Sequence, residues 1–210
     1  KPLVLLLVVG VLPAAHGLWA HGALRASFHP WRLQSATHAA RSGRPLLNAA
    51  ASKAALIRLC EDTPKNGVDA SEERQSEIEA AIEALQPLCP PAPARRPLEG
   101  IYDLAYSSAK GGSNGKVGPF VGKVTQEFVD GLRFINAVTL GPAKISLYAE
   151  REVLDDERIR VTFKETGVSL FGKELVRKPL SGSGVWKQRF VDEELRVMNT
   201  PSVFVLRKRR

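Results

Sequence analysis

From about residue 98 onward, apolar and polar side chains alternate with a period of two, the pattern of strands that turn one face to a core. Leu98, Gly100, Tyr102, Leu104 and Tyr106 share one face of LEGIYDLAYSS. The segments VGKVTQEFVDG and LRFINAVTLG flank a turn at Asp130-Gly131, a strong hairpin signal. AKISLYAEREVL reads as a further strand, and in RIRVTFKETGVSLFG, Ile159, Val161 and Phe163 oppose Arg158, Arg160, Thr162 and Lys164. Two more strands are predicted over Val185 to Val191 and Leu195 to Met198, then a turn at Asn199-Thr200-Pro201-Ser202 and a last strand over Val203 to Arg207. About eight antiparallel strands, each with one wet face, predict a sheet that curls and closes, with the last strand closing it.

Upstream the period changes to that of a helix. Leu56, Leu59 and Cys60 fall on one face of SKAALIRLC, and Ile78, Ile82 and Leu85 on one face of SEIEAAIEALQPL, so two amphipathic helices are predicted between residues 46 and 90. Asp69 with Glu72 three residues later predicts a capping box for the second helix, and Pro87, Pro90 and Pro91 end it. The narrow stripes read as core packing. A Cys60–Cys89 bridge is disfavoured: in a helical hairpin the two lie about 25 Å apart at 1.5 Å per residue, whereas bridged Cα atoms lie within about 7 Å. The fold class is therefore mainly β, an antiparallel barrel over 98–210 preceded by two α-helices.

Charge changes the picture at one place. The net charge of +8 suggests an anionic partner such as nucleic acid, but residues 1–60 hold seven basic side chains and no acid, and the rest of the chain holds 23 basic against 22 acidic. The basicity belongs to the beginning of the chain, and no nucleic-acid partner is expected. There, PLVLLLVVGVLPAA has the size of a signal-peptide apolar core, with small residues at Ala15-His16-Gly17 and Ala20-His21-Gly22, and predicts a signal peptide over 1–22. ALRASFHPWRLQSATHAARSGR is rich in Ala, Arg and Ser and free of acid, which predicts a transit-peptide-like segment over 23–45 and a plastid address. All four histidines, at 16, 21, 29 and 38, fall in these segments. A mature chain without them has no Ser-His-Asp triad, Cys-His pair or His-bearing zinc site. No catalytic residue, metal or cofactor is assigned.

The segments LEGIYDLAYSS, VGKVTQEFVDGLRFINAVTLG, RIRVTF and above all GSGVWKQRFVDEELRVMNTPSVFVLRK resemble the plastid lipid-associated protein or fibrillin (plastoglobulin) family, over roughly residues 46–210. The resemblance implies a lipocalin-like barrel behind N-terminal helices and association with thylakoid membranes and plastoglobules. Where that family favours Trp in the first barrel strand this chain has Tyr102, two residues after Gly100, and its Tyr-x-Asp-x-Asp-Leu-Arg run appears here as Phe190, Asp192, Glu194, Leu195 and Arg196.

Within such a barrel Tyr102 is expected to pack under Arg196, with Asp192 fixing the guanidinium, against the plainer reading of Asp192 and Arg196 as a surface ion pair. The alternation nominates Leu104, Phe128, Phe134, Leu147, Val161, Phe163, Phe190 and Phe204 as interior, ligand-binding candidates. The pattern fits both a barrel filled by its own side chains and one holding an apolar molecule. AKGGSNGKVG, 109–118, lacks Walker spacing and reads as a loop at the barrel mouth. The Arg207 to Arg210 cluster reads as a solvated end or a contact for anionic lipid. The expected function is a non-enzymatic plastid lipid-binding protein. It coats plastoglobules or thylakoid margins, or carries a fatty acid, quinone or carotenoid. The alternative is a lipocalin-like enzyme or chaperone acting on such a molecule.

Overall fold

The computed structural model describes residues 44–210. Its strands, in chain order, are β1 (Gly100–Ser107), β2 (Lys116–Val117), β3 (Phe120–Val121), β4 (Lys123–Phe128), β5 (Arg133–Leu140), β6 (Ala143–Val153), β7 (Arg158–Leu170), β8 (Lys173–Val191), β9 (Leu195–Asn199) and β10 (Val203–Lys208). Eight of them close in the order β1-β10-β9-β8-β7-β6-β5-β4, and β2 and β3 form a separate small hairpin. The last strand does close the barrel, since β10 pairs antiparallel with both β1 and β9. Closure removes the unpaired edges that an open sheet would expose. The Asp130 turn forms because its carboxylate accepts from the amides of Leu132 and Arg133, which holds that carboxyl down to about 2.

Two helices lie outside the barrel, α1 (Arg44–Glu61) and α2 (Glu72–Leu85). Their stripes Leu56, Cys60, Ile78, Ile82 and Leu85 are buried with Leu195, Val197, Val203 and Val205 on the outer face of β9 and β10. Those two strands are therefore buried on both faces, where one wet face was expected. Ion pairs rim the contact: Lys53 meets Asp192 at 2.8 Å and Glu194 at 3.2 Å, and Arg189 reaches Glu79 of α2. The cap of α2 is Ser71, whose hydroxyl accepts from the Arg74 amide; Asp69, the expected cap, sits two residues earlier in a left-handed turn at φ 64°. Cys60 and Cys89 are free thiols, and burial pushes Cys60 up to about 12. No helix among the described residues is long and apolar enough to cross a membrane.

The barrel has register shifts in its β1–β10, β6–β7, β7–β8 and β8–β9 pairings, and two of them carry aromatic side chains out of the interior. In the β1–β10 pairing the register shifts between Leu104 and Tyr106, and in the β8–β9 pairing between Gln188 and Phe190. Each inserts one extra residue, Ala105 and Arg189, and flips everything beyond it to the other face. Tyr106 and Phe190, both expected inside, are consequently packed outside against the helices, while Val191 joins the interior cluster. Phe190 is thereby removed from the set of interior candidates. Gly67, in the connection between the helices, lies so close to Tyr106 that an added Cβ would sit 2.6 Å from the ring, and its φ of 86° suits glycine alone.

Candidate functional site

A cavity of about 620 Å³ occupies one half of the barrel. Its walls come from all eight barrel strands, among them Leu104 of β1, Leu147 of β6, Phe163 of β7, Trp186 of β8, Met198 of β9 and Phe204 of β10. Three interior candidates, Phe128, Phe134 and Val161, are buried in the same apolar cluster but do not line the cavity. The barrel is thus half filled and half hollow. The filling is an aromatic layer in which Tyr102 meets Phe128 edge-on at 5.7 Å, Phe128 lies 5.5 Å from Phe134, and Phe134 lies 5.8 Å from Trp186.

Arg196 is in this layer, with 0% of its surface exposed, but its partners are not those expected. The guanidinium carbon stands over the Phe128 ring, 5.4 Å from its centre; Tyr102 meets that ring in a T-shaped contact. Arg196 donates from Nε to Gln188 Oε1 at 2.8 Å and from Nη1 to Gln126 Oε1. Asp192 does not fix it: that carboxylate accepts from Lys53 and from the amides of Glu194 and Leu195, closing the β8–β9 turn on the helix side. The reason is the strand period, because Arg196 points inward while the turn that carries Asp192 faces α1. Asp192 and Arg196 are not an ion pair in either of the expected senses. Burial pushes Arg196 down to about 9, with the nearby Arg151 charge adding to the shift.

Arg151, Gln126, Asn136 and Gln188 are functional candidates that alternation alone hides, because polar residues read as solvent-facing. Arg151 is 8% exposed, also stands over the Phe128 ring, 5.7 Å from its centre, and donates from Nε to the Gly131 carbonyl. Gln126 Nε2 donates to Asn136 Oδ1 at 2.8 Å, and both residues line the cavity where it meets the aromatic layer. They form its floor. A signal was present: Gln126 lies between Val124 and Phe128 at period two, and Asn136 between Phe134 and Val138, so each interrupts an apolar face rather than belonging to a polar one.

The mouth of the cavity is formed by the loop after β1 and by the β9–β10 turn, with Ala109, Lys110, Gly112, Ser113 and Thr200 to Ser202 in its lining. The glycine-rich loop is tied down. Asn114, 3% exposed, donates to the Ala109 carbonyl, and Asn66 from the α1–α2 connection donates to the carbonyls of Asn114 and Gly122. The same end of the barrel carries exposed apolar side chains: Phe120 on β3 is 67% exposed and Phe171, at the tip of the β7–β8 hairpin, 82%. Phe171 takes φ 50°, a conformation that bulky residues seldom adopt, and Gly172 follows at φ 78°.

Charge is divided between the two ends. The turns at the closed end carry Asp130, then Asp155, Asp156 and Glu157, then Asp192, Glu193 and Glu194. The connections at the mouth, residues 108–122, 141–142, 171–172 and 200–202, contain no Asp or Glu and bear Lys110 and Lys116, with Lys144, Lys173 and Glu174 beside the hairpin tips. Asp69 of the α1–α2 connection lies 3.6 Å from Lys116. The basic cluster at the C-terminal end is at the opposite end from the mouth and is neutralised there: Arg207 meets Glu61 at 3.0 Å, Arg209 meets Asp103 at 2.6 Å and Arg210 meets Glu194 at 3.3 Å. Among the described residues no group of three or more His, Cys, Asp or Glu is placed to hold a metal ion.

The model of one protein family, PAP_fibrillin, matches residues 50–207, from within α1 to within β10, and the chain belongs to that family. No curated protein and no solved structure matches it.

Proposed function

We propose that this PAP_fibrillin family member is a non-enzymatic lipid-binding protein of the plastid. Its barrel takes up a small hydrophobic molecule of the fatty acid, quinone or carotenoid class, and its mouth rests on a lipid-body or thylakoid surface. The observation that carries this reading is an apolar cavity that opens at the end of the barrel whose strand connections carry no carboxylate, the end that also bears exposed Phe120 and Phe171. The cavity lies within the range of about 300–1,000 Å³ usual for small-molecule sites. Asp, Glu and Tyr are absent from its lining, which favours a carrier over an enzyme using carboxylate or phenol chemistry. The plastid address rests on family membership and on the leader segments 1–22 and 23–45; apart from residues 44 and 45, which begin α1, those lie outside the described residues.

Magnitudes choose the binding mode. Burying Phe120 and Phe171 in a lipid surface contributes about 1.5–3 kcal/mol each, and a lysine near an anionic surface about 1 kcal/mol. The two contributions are comparable at low salt, and only the apolar one persists at 1 M, where the screening length is about 3 Å. The full chain is therefore expected to float with vesicles of plastid lipid composition in 1 M salt. Phe120→Asp/Phe171→Asp should stay in the soluble fraction, and Arg209→Ala/Arg210→Ala should float like the wild type. Loss of wild-type flotation in high salt with the fold intact would assign the association to charge instead.

A further inference from the structure

The barrel floor is chemically one-sided. Arg196 Nη1 donates to Gln126 Oε1, which turns the amide nitrogen of Gln126 toward Asn136. That nitrogen donates to Asn136 Oδ1, and this in turn leaves the Asn136 amide nitrogen as the free end of the pair. Each amide oxygen is engaged from below or from the side, and each amide nitrogen keeps hydrogens to give. The floor offers donors.

Beneath it lies uncompensated charge. Arg196 and Arg151 both stand over the Phe128 ring, and neither has a carboxylate within salt-bridge distance among the described residues. One nitrogen on each, Arg196 Nη2 and Arg151 Nη1, is buried without a hydrogen-bond partner, and so is Gln188 Nε2. Buried charges are ordinarily paired, because an isolated ion taken out of water costs several kcal/mol, and unpaired groups of this kind call for an explanation. The other polar side chains of the barrel do not supply it: no Asp or Glu lines the cavity, and Asp192 is engaged by Lys53.

Resting on the reading of the barrel as a lipid carrier, we propose that the floor formed by Gln126 and Asn136 binds the carboxylate of a single-chain amphiphile, head down and tail toward the mouth. The carboxylate oxygens accept from the Gln126 and Asn136 amides and bring a negative charge to the face of the layer that holds the two guanidiniums. The tail runs along Leu104, Leu147, Phe163 and Phe204, and its free end reaches the mouth between the apolar hairpin tips. An ester or alcohol of the same chain length fits the walls but brings no charge to the floor. Lys110 is the competing anchor, since it lines the cavity at the mouth and would hold an acid the other way up.

The test titrates the full chain, at mildly alkaline pH, with oleate, methyl oleate and oleyl alcohol. Oleate is expected to bind about tenfold or more tightly than the ester, as charge-assisted hydrogen bonds are about twice as strong as neutral ones. Asn136→Asp keeps the acceptor for Gln126 Nε2 and places a like charge against the head, so it should abolish the preference for the acid by weakening oleate more than the ester. Asn136→Leu should lower the preference as well, and Lys110→Met should leave it intact. Equal affinity of the wild type for acid and ester overturns the proposal. So does a preference that survives Asn136→Asp and disappears in Lys110→Met, which would put the head at the mouth. If none of the three ligands binds, the carrier reading itself falls, and this inference with it.

Discussion

Arg196 lies over the face of Phe128, 5.4 Å from the ring centre, and is held there by two glutamines rather than by a carboxylate. The positive charge is fixed at the centre of the protein by neutral acceptors and a ring quadrupole, each a modest interaction. Arg196→Met would remove the buried charge but orphan the buried Oε1 atoms of Gln126 and Gln188, each costing about 1–3 kcal/mol. A net loss of about 2–4 kcal/mol is expected in denaturant unfolding. Double-mutant cycles should give a coupling of about 1 kcal/mol or more between Arg196 and Gln126, and none between Arg196 and Asp192. A strong Arg196–Asp192 coupling would show that the pair is joined in solution.

Phe190 separates barrel from helices. It packs with Ile78, Ile82 and Leu85 of α2, outside the wall whose inner side lines the cavity. Phe190→Ala should cost about 3–5 kcal/mol, as for other buried aromatics, while the folded fraction keeps its affinity for an apolar ligand. Phe163→Ala enlarges a space that is already open, so it should change ligand affinity more and stability less. Equal effects of the two substitutions on ligand affinity would place both side chains on one face.

The period-two pattern made most of the barrel legible, because Ile159, Val161 and Phe163 point inward while Arg158, Arg160 and Lys164 stay exposed. The bulges were not legible. Arg189 looks like an ordinary outward residue and Phe190 an ordinary inward one, and the only local trace is that Phe190 and Val191 are adjacent apolar residues where alternation allows one. Arg196 was recognised as an inward cation, yet its partners come from β4 and β8, at sequence distances no local pattern reports. The hollow was equally hidden, since identical alternation serves a filled barrel and an open one. The division of charge between the two ends was present in the sequence, as acidic turns at Asp130, Asp155 to Glu157 and Asp192 to Glu194 alternate with carboxylate-free ones. It becomes visible once the strands between them are counted.

The clamp between α1 and the β8–β9 turn should depend on pH in a defined window. The Lys53 side chain hydrogen-bonded to Glu194 holds that carboxyl below its ordinary 4.5. For Lys53, burial works toward a lower value, and the bonds to Asp192 and Glu194 outweigh it and raise the ammonium above 10.5. A depressed acid contributes stability that is present above its unfolded value and lost as pH falls through the folded one; a raised base contributes stability that is complete below its unfolded value and lost as pH rises through the folded one. Lys53→Met should therefore cost about 0.5–1 kcal/mol at neutral pH. In urea titrations the difference from wild type should shrink below pH 4.5 and above pH 10.5. A difference independent of pH would mean that Lys53 acts through its methylenes alone.

The central claim is that the hollow half of the barrel holds an apolar molecule, and Trp186 in its wall is placed to report on it. With Trp19 and Trp31 changed to Phe, Trp186 is the single indole of the chain. Gly184 lines the cavity and a Cβ added there meets Trp186 at an ordinary 3.6 Å, so the backbone accepts Gly184→Leu, whose further carbons take up cavity space. Fluorescence of Trp186 titrated with a brominated stearate should be quenched saturably, at one ligand per chain, and Gly184→Leu should weaken that quenching at least about tenfold while the protein stays folded. Absence of saturable quenching, or quenching that Gly184→Leu leaves unchanged, would contradict the account.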